Sequence, residues 1–390
     1  MLSVLKQARK SLGQIVVGAA ALVLAACTPT AGPVAGGGTA SGKVQVALLV
    51  PGGSGQASDE LLARSLQNAT RLAIADLGGA QVDLRVYNTA GQPAQAAAMA
   101  TKAVAEGAQI ILGPVFAQEA NAAGVAVAGQ GVNVLAFSNN PDIAGNNVFV
   151  LGPTFGNTAV RLASYAVRQG KSKVMIVHDR NTAGDIGRAA IAQSVSAAGG
   201  QVVATGSYEF SQNGVVSAAP GIARAAKDTG AQAVFLTADT AGALPLVSQL
   251  LADNGLSSAT AQFIGLTRWD IPASTLALPG VQGGWFALPD PALYAQFQSR
   301  YNAAYGEAPH PIAGLAYDGI AAIGALMKRD LTGAVSKAAL TQGSGFVGVN
   351  GIFRLSADGT NERGLAVAQI RGGRLVVVDA APRSFGGPGF

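Results

Sequence analysis

The sequence predicts an α/β protein of two doubly wound lobes, closed by a short antiparallel C-terminal segment. Three observations lead there. Strand-length runs of Val, Ile, Leu and Ala recur between residues 43 and 266, nearly continuous in the way of strands buried on both faces. A helical stretch separates each run from the next, which requires parallel pairing with right-handed crossovers. The chain is 390 residues long and 49% hydrophobic, too long for one ordinary domain and apolar enough to fill more than one core.

The elements follow in order. Lys6, Arg9 and Lys10 precede the apolar run Leu12–Leu24, which is too short for a comfortable membrane span and has the layout of an export signal. The run ends in Leu24-Ala25-Ala26-Cys27, which resembles the bacterial lipobox. Residues 1–26 are therefore expected to be a lipoprotein signal peptide, with lipid on Cys27 holding the protein to the envelope, facing the periplasm. Thr28 stands where an Asp would mark inner-membrane retention, which points to the outer membrane. Residues 27–42, uncharged and rich in Gly, Ala, Ser, Thr and Pro, are expected to be a flexible tether.

Lobe I is expected over 43–150. Val44–Val50 is a strand, and Asp59–Leu77 a helix with Leu62, Leu66, Ala69 and Ala73 on one face and Ser58 or Asp59 as its cap. Val82–Tyr87, Gln109–Leu112 and Asn133–Phe137 are strands, alternating with helices over Pro93–Glu106 and Ala117–Gly129. Lobe II is expected over 151–284, with strands at Lys173–Asp179, Val202–Tyr208, Ala233–Thr237 and Gln262–Leu266. Its helices are Asn157–Gln169, Ile186–Ala198, Val215–Asp228 and Ala241–Asn254. Helices at Pro291–Tyr305 and Ile312–Arg329 form a return to lobe I over 285–330. Residues 331–380 cross back through hairpins turned at Asp358-Gly359 and Gly372-Gly373, and 381–390 is a tail.

Composition excludes several chemistries. The net charge is +5, but three of the basic residues lie in the signal segment, and no Lys/Arg cluster marks a nucleic-acid surface. One Cys and two His exclude a disulfide framework and a multi-histidine metal centre. Pro51-Gly52-Gly53-Ser54-Gly55-Gln56 sits between a strand and a helix, where amides cradle anions. It lacks the Lys and Ser/Thr of a phosphate loop and the spacing of a dinucleotide fingerprint. His178-Asp179 ends an apolar strand with no nucleophile elbow nearby. No catalytic residue, metal or cofactor is expected.

Leu49-Val50-Pro51-Gly52, Ile111-Leu112-Gly113-Pro114, Lys173–Asp179, Tyr305-Gly306 leading to Ala316-Tyr317-Asp318, and Gly351-Ile352-Phe353 resemble type I periplasmic binding proteins. The leucine/isoleucine/valine-binding group is the nearest well-known branch, and the likeness spans about 43–380. It implies two lobes hinged around a cleft that binds without catalysis. The same resemblance places the amino-acid receptors' serine near Ala117, one aromatic on Ala183, a second near Asp239, and the acid for the ligand's ammonium near Thr267. Losing these groups implies a ligand other than a free α-amino acid, whose two charges need paired partners once desolvated. Ser54, Phe116, Ser138, Asn139, Asp239, Thr267 and Trp269 are the candidate ligand-binding residues.

Val134–Asn139 and Gly265–Asp270 also resemble the penicillin-binding protein activators, lipoproteins of the same fold that bind a peptidoglycan synthase. This chain lacks their helical-repeat N-terminal domain. Two functions are expected to compete. The first is an envelope regulator that stimulates a peptidoglycan synthase; the second is a receptor delivering a small solute to an ABC permease.

Overall fold

The structure, a computed structural model, describes residues 43–78, 81–329 and 333–386. The expected signal peptide, Cys27 and the expected tether lie outside them.

The first lobe alternates strictly: β1 (Lys43–Val50), α1 (Ala57–Asp76), β2 (Gln81–Asn88), α2 (Pro93–Ala105), β3 (Ile110–Leu112), α3 (Ala117–Val127), β4 (Asn133–Ala136) and β5 (Val148–Val150). The strands lie in the order β2-β1-β3-β4-β5, all parallel. The period of two along β1 divides its side chains between two cores. Val44, Val46, Leu48 and Val50 join one core with Leu62, Leu66 and Ala69 of α1. Ala47 and Leu49 join the other, with Ala100 and Ala103 of α2 and Ala120 and Ala123 of α3. Each fully buried Val or Leu contributes about 1.5–3 kcal/mol, so a polar residue within Val46–Val50, buried on both faces, would be costly, whereas Lys43 and Gln45 sit at the less buried start of β1. The continuity of the run follows.

The second lobe repeats the scheme with α4 (Phe155–Arg168), β6 (Lys173–Asp179), α5 (Thr182–Ala197), β7 (Gln201–Tyr208), α6 (Gln212–Asp228), β8 (Ala233–Leu236), α7 (Leu244–Asp253), β9 (Gln262–Gly265) and β10 (Trp285–Leu288). Met175 and Val177 of β6 face one core with α6 and α7; Val174 and Ile176 face another with α4 and α5. Helices α8 (Pro291–Tyr305) and α9 (Ala313–Met327) then pack against the first lobe, and the short α10 (Lys337–Leu340) follows. β11 (Phe346–Gly348), β12 (Gly351–Leu355) and β13 (Asn361–Arg363) form a small antiparallel sheet. β14 (Ala366–Arg371) and β15 (Arg374–Asp379) extend the second sheet, whose order is β15-β14-β10-β9-β8-β6-β7.

Several details differ from the sequence reading. Trp285–Leu288 pairs in parallel with β9 and antiparallel with β14, so the return to the first lobe begins after Leu288 rather than at 285. Three lobe II helices start two to four residues earlier than their apolar periodicity indicates. Thr154 caps α4 in a reciprocal capping box with Asn157, Asn181 caps α5, and Ser211 caps α6. Polar caps hold first turns that carry no apolar signal. Conversely, α1 begins at Ala57 behind Gln56, with no side-chain cap.

The connections between lobes run at 151–154, 289–290 and 364–365, and side chains tie them together. Asn361 Nδ2 donates to the carbonyls of Val150 (2.7 Å) and Gly152 (2.9 Å). Arg363 Nε donates to Leu151 O at 2.7 Å and its Nη1 to Asp318 Oδ2 at 3.2 Å. The Asp318 carboxylate also accepts from the Asn350 amide nitrogens at 3.3 and 3.0 Å. Burial pushes the Asp318 carboxyl up, while Arg363 and Asn350 pull it back.

Candidate functional site

In open parallel sheets, ligands bind beyond the carboxyl ends of the strands. Here those ends carry the loops 51–56, 89–91, 113–116 and 138–140 of the first lobe. From the second lobe come 180–181, 237–243 and 266–270.

The glycine loop after β1 is already occupied by the chain itself. Gly53 N donates to Glu60 Oε1 at 2.6 Å, and Gln56 N donates to Ser54 Oγ at 3.1 Å. Ser54 thus serves its own turn. Ser138 is similar: it is buried, and its Oγ accepts from Asn140 N at 3.1 Å. Asn139, by contrast, is exposed. Phe116, 41% exposed, stands at the N-terminus of α3 with its ring 3.6 Å from where a side chain on Gly91 would begin. Asp239 is exposed and its Oδ1 accepts from Gly242 N, beside the exposed ring of Phe210. Thr267 has a buried hydroxyl without a partner among the described residues.

Trp269 corrects the sequence reading. It is 0% exposed, in the core with Phe286 at 6.5 Å between ring centroids. A Cβ on Gly265 would lie 2.3 Å from its ring, and so would one on Gly284. The Gly265–Asp270 segment therefore seats a core tryptophan rather than presenting one to a ligand.

The His178-Asp179 pair is a structural knot. Asp179 Oδ1 accepts from Thr237 Oγ1 at 2.7 Å and its Oδ2 accepts from Asn181 Nδ2, which ties the β6–α5 turn to β8. His178 is buried with Nδ1 3.1 Å from Asp179 O. Among the described residues no three His, Cys, Asp or Glu side chains group around a metal position.

A cavity of about 950 Å³ opens beside one of these loops, at the end of β4, at the upper end of the range for small-molecule sites. Asn139 and Asn140 reach it from the first lobe, Thr154 and Phe155 from α4, and Ala183 and Ile186 from α5. The hairpin 358–363 closes one wall. A second cavity of about 320 Å³ lies between Arg268 and Asp270 of the second lobe and Tyr294, Pro309 and Pro311 of the first. There Arg268 and Asp270 form a two-pronged ion pair, and the Tyr294 hydroxyl donates to Pro311 O at 3.2 Å. Burial raises the Tyr294 pKa, opposed by Arg268.

Glu119 in the first turn of α3 escaped the sequence reading. It is 0% exposed and neither carboxylate oxygen has a hydrogen-bond partner among the described residues. Burial raises its pKa; the Thr89 hydroxyl and Phe116 amide pull the other way without reaching bonding geometry, and Asp59 adds repulsion. A carboxyl whose pKa rises on folding favours the fold below its unfolded value and loses that contribution as pH rises through the folded one. Glu119→Gln is therefore expected to stabilise the protein at pH 8 by about 1 kcal/mol or more. The gain should shrink towards pH 4, where the acid is protonated in both states. Urea titrations at the two pH values check this; a variant less stable than the parent at pH 8 would refute it.

A family model described as periplasmic binding protein matches residues 43–374. No curated protein sequence matches. Among solved structures, a putative branched-chain amino acid ABC transporter protein from Rhodospirillum rubrum superposes with a TM-score of 0.71. It is 19% identical, with 86% of this chain and 99% of that one covered. A solute-binding protein from R. palustris in complex with benzoate gives 0.58 at 20% identity, covering 88% and 97%. A leucine-binding protein from Thermotoga maritima gives 0.58 at 18%, covering 87% and 98%. At such identities the likeness is one of fold.

Proposed function

The chain belongs to the periplasmic binding protein family, and we propose that it is the solute receptor of an ABC importer, binding without turnover. The observation that carries this reading is the cavity of about 950 Å³ beside the end of β4, walled by 139–141 of the first lobe, α4 and α5 of the second and the 358–363 hairpin. A concave site of this size, where Phe155, Val160 and Ile186 stand among polar side chains, suits capture of a small molecule. The solved ABC transporter and solute-binding proteins named above share the fold over 86–88% of this chain. The partners on this reading are a small solute and a permease.

The regulator reading moves to second place. Gly265–Asp270, one of the segments that resemble synthase activators, places Trp269 in the core rather than on a surface for a partner, and the family and structural matches give a synthase partner no support. Within the receptor reading, a free α-amino acid is a poor candidate. Ala183 lines the cavity with a methyl group where the amino-acid receptors place an aromatic.

A thermal-shift screen of organic acids, sugars, amino acids, peptides and muropeptides tests the proposal, run beside a pull-down from envelope extract. At a ligand concentration 100 times the dissociation constant, a true solute should add ~2.7 kcal/mol to stability. A peptidoglycan synthase retained in the pull-down, with no solute producing a shift, would reverse the order of the two readings.

A further inference from the structure

A cavity of about 390 Å³ lies on the first lobe between α1, α8, α9 and β11, and none of the strand-end loops lines it. The last turn of α1 and the outer side of α8 form two walls. A third is one face of α9, where Tyr317, Ala321, Ala325 and Lys328 recur at helical spacing. β11 supplies the rim. The pleat turns Phe346 into the core and Gly348 against Asp318, so Val347 between them faces out and is 66% exposed. Leu293 and Phe297 of α8 share the cavity with it. A large apolar side chain left open beside an apolar cavity marks a surface that meets something other than water.

The free charge at this cavity is positive. Asp76 is the one acid on its wall, and its carboxylate already accepts from Arg300 and from the Tyr317 hydroxyl. Lys328 is exposed and has no ion pair or hydrogen bond from its ammonium among the described residues. Arg329, next to it, bonds Gln342 and no acid. The chain also enters the fold nearby. Lys43, itself exposed and without an acid partner among the described residues, pairs with Gln81, four residues beyond Leu77 of the cavity wall. That places the entry point within roughly 20 Å of the cavity. Cys27, where a lipid anchor is expected, stands sixteen residues before Lys43, a reach of at most about 55 Å.

We propose that this edge of the first lobe docks on a membrane of anionic phospholipid, with a lipid chain against Leu293, Phe297 and Val347 and the headgroup phosphate at Lys328. An exposed apolar side chain and a neighbouring cation are the paired signals that hold a peripheral protein to lipid. The lysine stem lies along apolar surface while its ammonium reaches the phosphate. An acyl group on Cys27 would keep this edge within reach of the bilayer, and docking at the cavity would then fix how the lobes stand above it. The proposal goes beyond the receptor reading and does not depend on it.

The test uses the chain from residue 27 on with Cys27→Ser, which removes the anchor and the only cysteine. Val347→Cys then carries an NBD fluorophore, and vesicles of phosphatidylglycerol or of phosphatidylcholine are added at low salt. With phosphatidylglycerol the emission should shift to the blue and rise about twofold or more, and doxyl-labelled lipid should quench it. Reporters at Val125→Cys on α3, 71% exposed, and at Val377→Cys on β15, 42% exposed, should not respond. Lys328→Glu changes two charge units and should weaken vesicle binding by about tenfold or more. Lys227→Glu, exposed on α6 of the second lobe, should do so far less. All of these positions are on the surface, and circular dichroism and melting temperature verify that each variant is folded. No response at residue 347, an equal response at all three reporters, equal binding to phosphatidylcholine, or binding indifferent to Lys328→Glu would each overturn the proposal. The solute screen bears on the receptor reading alone, so the two stand or fall separately.

Discussion

Asp318→Ala is expected to cost about 3–5 kcal/mol of stability, because it leaves the Arg363 charge buried with no counter-ion, only the Leu151 carbonyl and the face of the Phe353 ring beside it. Asp318 is 0% exposed and Arg363 6%. The carboxylate is held by Arg363 and by both nitrogens of Asn350, and it fits only because Gly348 has no side chain: a Cβ there would lie 2.0 Å from Oδ1. The residues come from α9, the small sheet and the segment between β11 and β12, and Arg363 also grips Leu151 in the first connection between lobes. Denaturant titration should show a lower midpoint with an unchanged slope. Replacing both partners, Asp318→Leu with Arg363→Met, should recover part of the loss, since an apolar pair carries no stranded charge. A loss below about 1 kcal/mol for Asp318→Ala would show that water reaches the pair and that its burial counts for little.

Trp269→Ala should cost a comparable ~3–5 kcal/mol through the cavity it leaves, and should do so without lowering affinity for a cleft solute in the fraction that remains folded. The side chain is 0% exposed, with Gly265 and Gly284 shaped around its ring. The glycines cannot fill the space it vacates, so relaxation is limited. Calorimetry on the folded variant separates the two roles. A weakened solute affinity at unchanged stability would return Trp269 to the cleft wall.

Much of the fold was legible because parallel strands and amphipathic helices are local patterns. The alternation of Val44, Val46, Leu48 and Val50 against Ala47 and Leu49 follows the pleat, and the sheet then has one core on each face. The helix starts at Phe155, Thr182 and Gln212 were less legible, since their first turns are set by polar caps. Trp285–Leu288 was missed as a strand because four residues after Gly283-Gly284 carry too little periodicity to declare themselves. The end of the parallel run and the hairpin tail were legible from glycine turns, but which sheet the tail joins was not.

At the site, the residue types were legible and their orientations were not. Ser54 and Ser138 have hydroxyls suited to a ligand, yet each is taken by a backbone amide two residues on, a local competition that loops commonly settle for themselves. Phe116, Asn139 and Asp239 stay open at strand ends, where the sequence put them. Arg161 and Arg363 carried no signal: one interrupts an apolar helix face and the other sits in a three-residue strand. Their acceptors Leu365 and Leu151 lie 204 and 212 residues away along the chain.

By itself, then, the sequence determined the two-lobe α/β architecture, the order of most of its elements and the strand ends at which a site must form, because periodicity, turns and helix breaks act over a few residues. Tertiary structure alone decided that Trp269 turns into the core, that Asp318 and Arg363 meet between the lobes, and that Arg161, Asn361 and Arg363 share one cavity wall. A buried side chain's direction depends on which distant carbonyls and voids are available to it, and these exist only once the chain has folded.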